Sequence, residues 1–225
     1  MDRYSRNMLA LSKEENELLR VKKVCVIGCG GLGGYIIEML GRLGIGTIIA
    51  VDGDILEISN LNRQLLSDIT NLGQNKAIQA KKRMNIVNPD IKLIAVEENF
   101  TLDNYKSILD GCHATVDALD NVESRLRLQN CCEELGIPLV HGAIGGWYGQ
   151  LTTVFPGDRT LDKIYQTYDD ERIKNPLGNP SFTPAMTASL EVSEVVKILI
   201  KRGDLLRNKM LFINLLDNCF DIIQL

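Results

Sequence analysis

The chain has 225 residues, 45% hydrophobic and 24% charged, with a formal net charge of −4. That length suits one large α/β domain, or one domain with a short appendage, and the composition excludes a disordered chain. The mild acidity and the lack of any Lys/Arg cluster argue against a nucleic-acid surface.

The N-terminal stretch MDRYSRNMLALSKEENELL is charged throughout and lacks a signal peptide's apolar segment. No apolar run approaches the roughly 18 residues of a membrane span. A cytoplasmic protein that does not enter membranes is therefore expected. Lys23 to Ile27 is a short apolar run ending in glycines, which reads as a buried strand. Gly31 to Leu43 has helical spacing and is stopped by Gly44 and Gly46. Thr47 to Val51 is a second strand, closed by Asp52-Gly53-Asp54. A helix is expected from about Gln74 to Val87, ahead of Asn88-Pro89. Ile91 to Val96, Ala114 to Leu119 and Pro138 to Ala143 read as further strands. Asp103 to Leu109 and Asn121 to Leu135 are the helices between them. Alternating strands and helices imply right-handed crossovers and a Rossmann-like, mainly parallel twisted sheet with helices on both faces.

The pattern changes after Gly145. Gln150 to Phe155, Met210 to Leu215 and Cys219 to Leu225 read as strands, an antiparallel extension of the sheet in the C-terminal half. A long polar stretch from Pro156 to Pro184 reads as a functional lid or a disordered loop. Thr183 is expected to cap the following helix, which runs to about Lys201 with Pro184 in its first turn.

The six cysteines, Cys25, Cys29, Cys112, Cys131, Cys132 and Cys219, form no CxxC pair. Neither a disulfide framework nor a zinc site is expected. Cys25 reads as core. Of Cys131 and Cys132, one should pack and the other be exposed. Cys29 sits within the glycine turn as a small side chain that fits.

Gly28-Cys29-Gly30-Gly31-Leu32-Gly33 lies between a strand and a helix. Gly28 allows a tight turn, Gly30 lets phosphate approach the backbone, and Gly33 lets the helix pack close. The helix N-terminus offers free N–H donors to an anion. Asp52 follows the second strand, 24 positions after Gly28, near where a carboxylate usually accepts ribose hydroxyls. To this point ATP and a nicotinamide dinucleotide are equally served. Arg63 and Lys76 follow, in Asn60-Leu61-Asn62-Arg63-Gln64 and Gly73-Gln74-Asn75-Lys76. Two cations converging on one nucleotide suit a triphosphate better than a dinucleotide. Asp117 and Asp120 close the fourth strand. Their odd separation lets them point apart, and Asp120 is better placed to reach phosphates through Mg²⁺. Helix capping by Asp120 or Asn121 is the other reading, and both roles are compatible. His113 begins a strand and reads as structural. His141 ends the fifth strand, near enough to the site to be a candidate for a substrate role.

These residues together resemble the bacterial adenylyltransferases of the ThiF/MoeB/HesA type, simple relatives of ubiquitin-activating enzymes. The resemblance rests on Gly28 to Gly33, the Asp52–Asp54 pair, Asn60 to Gln64, Lys76 and Asp117 to Asn121. Arg3-Tyr4-Ser5-Arg6-Asn7 and Gly142-Ala143 with Gly149-Gln150 add to it, and it runs from about Asp2 to Leu225. It implies a single domain over 1–225, with a helical arm at 1–20 and a nucleotide-binding half at 21–145. The rest, 146–225, would bind a carrier protein, with a crossover loop at about 156–184. Gly28, Gly30, Gly31 and Gly33 would cradle ATP, with Asp52 on the ribose and Asp54, Gln64 and Asn121 nearby. Asn60, Arg63 and Lys76 would hold the phosphates and Asp120 the Mg²⁺. Arg6 would reach across a homodimer into the partner's site.

The implied substrate is the C-terminal Gly-Gly carboxylate of a small ubiquitin-fold sulfur carrier, serving thiamine, molybdopterin or a related sulfur-containing cofactor. Many relatives carry two CxxC pairs for zinc, and some a crossover-loop cysteine for a covalent link; Pro156 to Pro184 contains no cysteine. Adenylylation without a covalent carrier–enzyme intermediate is expected, with sulfur supplied by a separate donor. Alternatives are a tRNA-modifying ATP-dependent dehydratase of the same family, an NAD-dependent oxidoreductase, and a non-catalytic subunit of a heterodimeric activating enzyme. The last would show gaps in the nucleotide motifs, and none is present.

Overall fold

The computed structural model of the chain describes residues 3–166 and 177–225. Eight strands form one sheet: β1 (Lys23–Ile27), β2 (Thr47–Val51), β3 (Lys92–Val96), β4 (Ala114–Asp117), β5 (Leu139–Gly145), β6 (Tyr148–Val154), β7 (Lys209–Asn214) and β8 (Cys219–Gln224). Seven helices accompany them: α1 (Lys13–Leu19), α2 (Gly31–Leu43), α3 (Lys76–Val87), α4 (Tyr105–Leu109), α5 (Val122–Leu135), α6 (Thr160–Tyr165) and α7 (Phe182–Ile200). The strand order is β3-β2-β1-β4-β5-β6-β7-β8. The five strands from β3 to β5 pair in parallel, and β6, β7 and β8 add on antiparallel. This is the Rossmann-like sheet with an antiparallel extension that the sequence pattern implies.

Alternation along the strands divides the core between two faces. Val24 and Val26 of β1 join Ile48 and Ala50 of β2 under α2, α3 and α7. Cys25 and Ile27 join Ile49 and Val51 on the opposite face, under α4, α5 and α6. Gly142 of β5 and Gly149 of β6 admit α7 closely: a Cβ at Gly142 would meet the Glu191 carboxyl, and one at Gly149 the Thr187 hydroxyl.

Helix ends follow their local chemistry. Ser12 and Glu15 form a reciprocal capping box on α1. Asn75 caps α3 by accepting from Ile78 N–H, and Asn121 caps α5 by accepting from Ser124 N–H. The capping reading of Asn121 thus holds. Thr183 does not cap α7. It lies inside the helix, where its hydroxyl donates to the carbonyl of Gly146 at 2.6 Å and pins α7 to the β5–β6 turn. The stretch expected to be one long loop holds α6, whose Leu161 is buried against the α5 face. The expectation of a lid over 156–184 falls in part on 167–176, outside the described residues. Cys131 and Cys132 are both buried, rather than one of each, because Cys132 faces the sheet while Cys131 lies within the same apolar cluster. Among the described residues no helix is long and apolar enough to cross a membrane.

Candidate functional site: a cleft at the switch point of the sheet

The chain leaves β1 toward β2 on one side and β4 lies on its other side, so the strand order reverses at β1. In open α/β sheets ligands bind at this switch point, beyond the carboxyl ends of the strands. A cavity of about 590 Å³ opens there, lined by the glycine turn, the ends of β2 and β4, and the starts of α2 and α5.

The turn is possible only without side chains at two positions. Gly28 has φ +97°, and a Cβ on it would lie 2.5 Å from the Ala118 carbonyl oxygen. A Cβ on Gly33 would lie 1.8 Å from the Gly28 carbonyl oxygen, so α2 packs directly on the turn. Gly30 and Gly31 line the cavity where α2 begins. Cys29 is buried in the core, and burial pushes its thiol well up.

Asp52 fastens this turn to the exit of β2. One carboxylate oxygen accepts from Cys29 N–H at 2.7 Å and the other from Asp54 N–H at 2.9 Å. Burial raises its pKa, against the pull of those two N–H groups and of Lys76. Each oxygen keeps capacity for a further donor, such as a ribose hydroxyl. Lys76 is buried, and its ammonium sits 2.9 Å from the Asp54 carboxylate. Arg63 lines the cavity and is aimed by the Ser59 carbonyl and the Asn62 side chain, both at 2.9 Å. Gln64 also lines it, with its buried Oε1 atom without a partner among the described residues. Asp120 and Asn121 complete the far wall.

Three of the expected nucleotide-site residues lie outside the lining: Gly33, which packs α2 on the turn, Asn60 and Arg6. Asn60 is buried outside the cavity lining. Its side chain accepts from Glu57 N–H at 3.0 Å and braces the 3₁₀ turn Ile58–Asn60 that presents Arg63. Arg6 lines a different groove, of about 630 Å³, beside Leu43 and Val192. It does not line the switch-point cavity of its own chain. His141 is fully buried beneath the site, paired with Asp117 at 2.7 Å. Asp117 and Asp120 thus point apart: one into the core, the other into the cleft.

Sequence reasoning missed Arg125, Arg127, Asn99 and Asn179, which also line the cavity. Arg125 and Arg127 belong to the early turns of the helix that follows β4, at the ligand edge of the sheet. That placement was available as a signal. Asn179 was not legible, because the Asn62 side chain brings it in from across the chain by donating to its carbonyl at 3.1 Å.

The ThiF family profile matches residues 4–225. The chain is 32% identical to the SAMP-activating enzyme E1 of Haloferax volcanii, over 99% of this chain and 84% of that one. It is 32% identical to the sulfur carrier protein adenylyltransferase of Thermus thermophilus, over 98% and 85%. It is 36% identical to the tRNA threonylcarbamoyladenosine dehydratase of Bacillus subtilis, over 62% and 56%. Its fold is that of E. coli MccB crystallised with MccA-N7isoASN, at a TM-score of 0.85 and 21% identity, over 100% of this chain and 72% of that one. The chain belongs to the ThiF family, and is an enzyme of the adenylyltransferase kind found among these relatives.

Proposed function

We propose that this enzyme uses ATP to adenylylate the C-terminal Gly-Gly carboxylate of a small ubiquitin-fold sulfur-carrier protein. The observation that carries the reading is the meeting of Asp52, Arg63 and Lys76 around the glycine turn in one switch-point cavity. A carboxylate for ribose together with two cations in one cavity matches a nucleoside triphosphate rather than a dinucleotide.

The turn and the α2 N-terminus would take the phosphates, with Asp52 on the ribose. A carrier carboxylate oxygen attacks the α-phosphorus. The new bond joins carboxyl oxygen to phosphorus, the bond from the α-phosphorus to the bridging oxygen breaks, and its electron pair leaves with pyrophosphate. Arg63 and Lys76 meet the charge gathered on the phosphoryl oxygens, and positioning does the rest. Asp54 holds the Lys76 ammonium ready at the cavity wall. Mg²⁺ is usually held by one or two carboxylates and the substrate's own phosphates, which suits Asp120, exposed in the cavity lining and in no ion pair among the described residues. Bound there, the metal would neutralise phosphate charge. Arg6, remote from its own site, suits a homodimer in which it completes the partner's. Sulfur would come from a separate protein.

The kinship to a tRNA-modifying dehydratase supports a second reading, activation of a carboxylate on a modified nucleoside. ATP–pyrophosphate exchange separates the two. The carrier reading expects exchange that depends on a protein ending in Gly-Gly. Exchange with the modified tRNA alone would favour the dehydratase, and no exchange with tight NAD binding would sink both.

A further inference from the structure

Behind the cleft a closed circuit of hydrogen bonds begins and ends on the backbone of one residue, Leu119. Its N–H donates to one oxygen of Asp117 at 2.9 Å. The other oxygen of Asp117 lies 2.7 Å from His141 Nδ1. His141 Nε2 lies 3.0 Å from the hydroxyl of Tyr165. Arg125 Nη1 donates to that same hydroxyl at 2.9 Å, with Gln150 as a longer second donor at 3.4 Å. The guanidinium then returns to the start, with Nη2 and Nε donating to the Leu119 carbonyl at 2.8 and 3.2 Å. The circuit ties together β4, β5, α6 and α5.

The donors and acceptors agree all the way round. Burial lowers the His141 pKa, outweighing the pull of Asp117, which favours the neutral ring. With the ring proton on Nδ1, donating to Asp117, Nε2 is left as an acceptor. The Tyr165 hydroxyl must then donate to Nε2, which frees its oxygen to accept from Arg125. The aromatic rings of His141 and Tyr165 also meet edge to face, their centroids 5.8 Å apart.

We infer that Asp117, His141 and Tyr165 are positioning residues. Through Arg125 they clamp both backbone groups of Leu119, and so fix where the next residue, Asp120, and the start of α5 stand against the nucleotide. None of the three lines the cavity, whereas Arg125, Leu119 and Asp120 do. A buried Asp–His pair is costly to desolvate, and a circuit that satisfies every member offsets that cost while fixing one geometry. The clamp itself rests on the hydrogen bonds alone. Its consequence for the metal end rests on the adenylyl-transfer reading.

Tyr165→Phe opens the circuit by removing one hydroxyl while keeping the ring in place. In nucleotide-free protein, amide hydrogen exchange at Leu119 should quicken about tenfold, as expected for the loss of one net hydrogen bond, with the β1 amides unchanged. Arg125→Lys, which keeps a charge but loses the fork, should quicken the same amide and serves if the first variant does not fold. Unchanged exchange at Leu119, or equal quickening throughout the sheet, would overturn the clamp. In ATP–pyrophosphate exchange the Mg²⁺ concentration for half-maximal rate should rise about tenfold for Tyr165→Phe, with KM for ATP at saturating Mg²⁺ moving less than about twofold. Equal losses in both would mark the role as structural only. A wild-type enzyme that exchanges with no carrier would refute the proposed function and leave the amide measurement standing.

Discussion

The two walls of the cleft are built in different ways. In the wall formed by the glycine turn and the β2 exit, Asp52 bonds to the turn across the β1–β2 pair, and Asn60 braces the turn that presents Arg63 three positions on. The wall formed by the end of β4 is backed by a buried circuit, with Asp117 held by His141 of β5 and Leu119 held by Arg125 of α5, which Tyr165 of α6 holds in turn. In the proposed reaction the first wall brings Arg63 and Lys76 to the phosphates. The second holds a backbone. Substitutions on the first should remove chemistry outright, and those behind the second should loosen it by degrees.

The largest effect is expected at Lys76. Lys76→Ala should lower the exchange rate by about 10²–10³-fold, the usual cost of one preorganised charge-stabilising group. Circular dichroism should show the fold retained. A variant with full activity would show that this wall does not work by direct contact. Gly28→Ala should come next, because its Cβ would lie 2.5 Å from the Ala118 carbonyl oxygen at a positive φ. A destabilisation of about 1–3 kcal/mol in chemical unfolding is expected, together with weaker ATP binding.

Glu191 tests the back of the second wall. It is fully buried on α7 beside Gly142 of β5, and neither of its oxygens has a partner among the described residues. Burial, then the charge of Asp117, pushes its carboxyl well up. A raised native pKa means that its stabilising share is complete below the ordinary glutamate range and is lost as pH rises through the native value. Wild-type stability should therefore decline on the alkaline side by up to about 1.4 kcal/mol per pH unit, the limit for one proton. Glu191→Gln should flatten that decline in urea unfolding across pH. An identical slope in both proteins would show that Glu191 does not titrate there. His141 works in the opposite sense: its lowered native pKa gives stability that is complete above about pH 6.5 and lost as pH falls.

The smallest effect on the isolated site should come from Arg6, which lies in the other groove. Arg6→Ala should leave ATP binding unchanged within about twofold and lower exchange, by about tenfold, only through the partner's site. Mixing Arg6→Ala with Lys76→Ala chains should restore part of the activity. No restoration would contradict the shared site.

The same contrast explains what was legible in the sequence. The strands of the parallel half, from Lys23–Ile27 onward, announce themselves through apolar runs bounded by glycine, and the glycine turn, Asp52 and Lys76 sit at fixed offsets from those strands. Thr183 was misread because a threonine before a proline is the local signal for a cap, and only the tertiary fold brings the Gly146 carbonyl to its hydroxyl. Asn60 lies outside the cavity lining although its neighbours Arg63 and Gln64 belong to it. Its structural task depends on a Glu57 N–H that sequence spacing does not reveal. The role of His141 was out of reach, since Tyr165 comes from α6, inside what read as a loop.

In the proposed reaction the cleft transfers an adenylyl group to a carrier's carboxylate. Intact-mass analysis of a Gly-Gly carrier incubated with ATP and the enzyme tests it most directly, with Lys76→Ala as the control. The wild-type enzyme should add one AMP moiety to the carrier and release pyrophosphate, and the variant should add almost none. An unmodified carrier with ATP cleaved to ADP and phosphate would contradict the account.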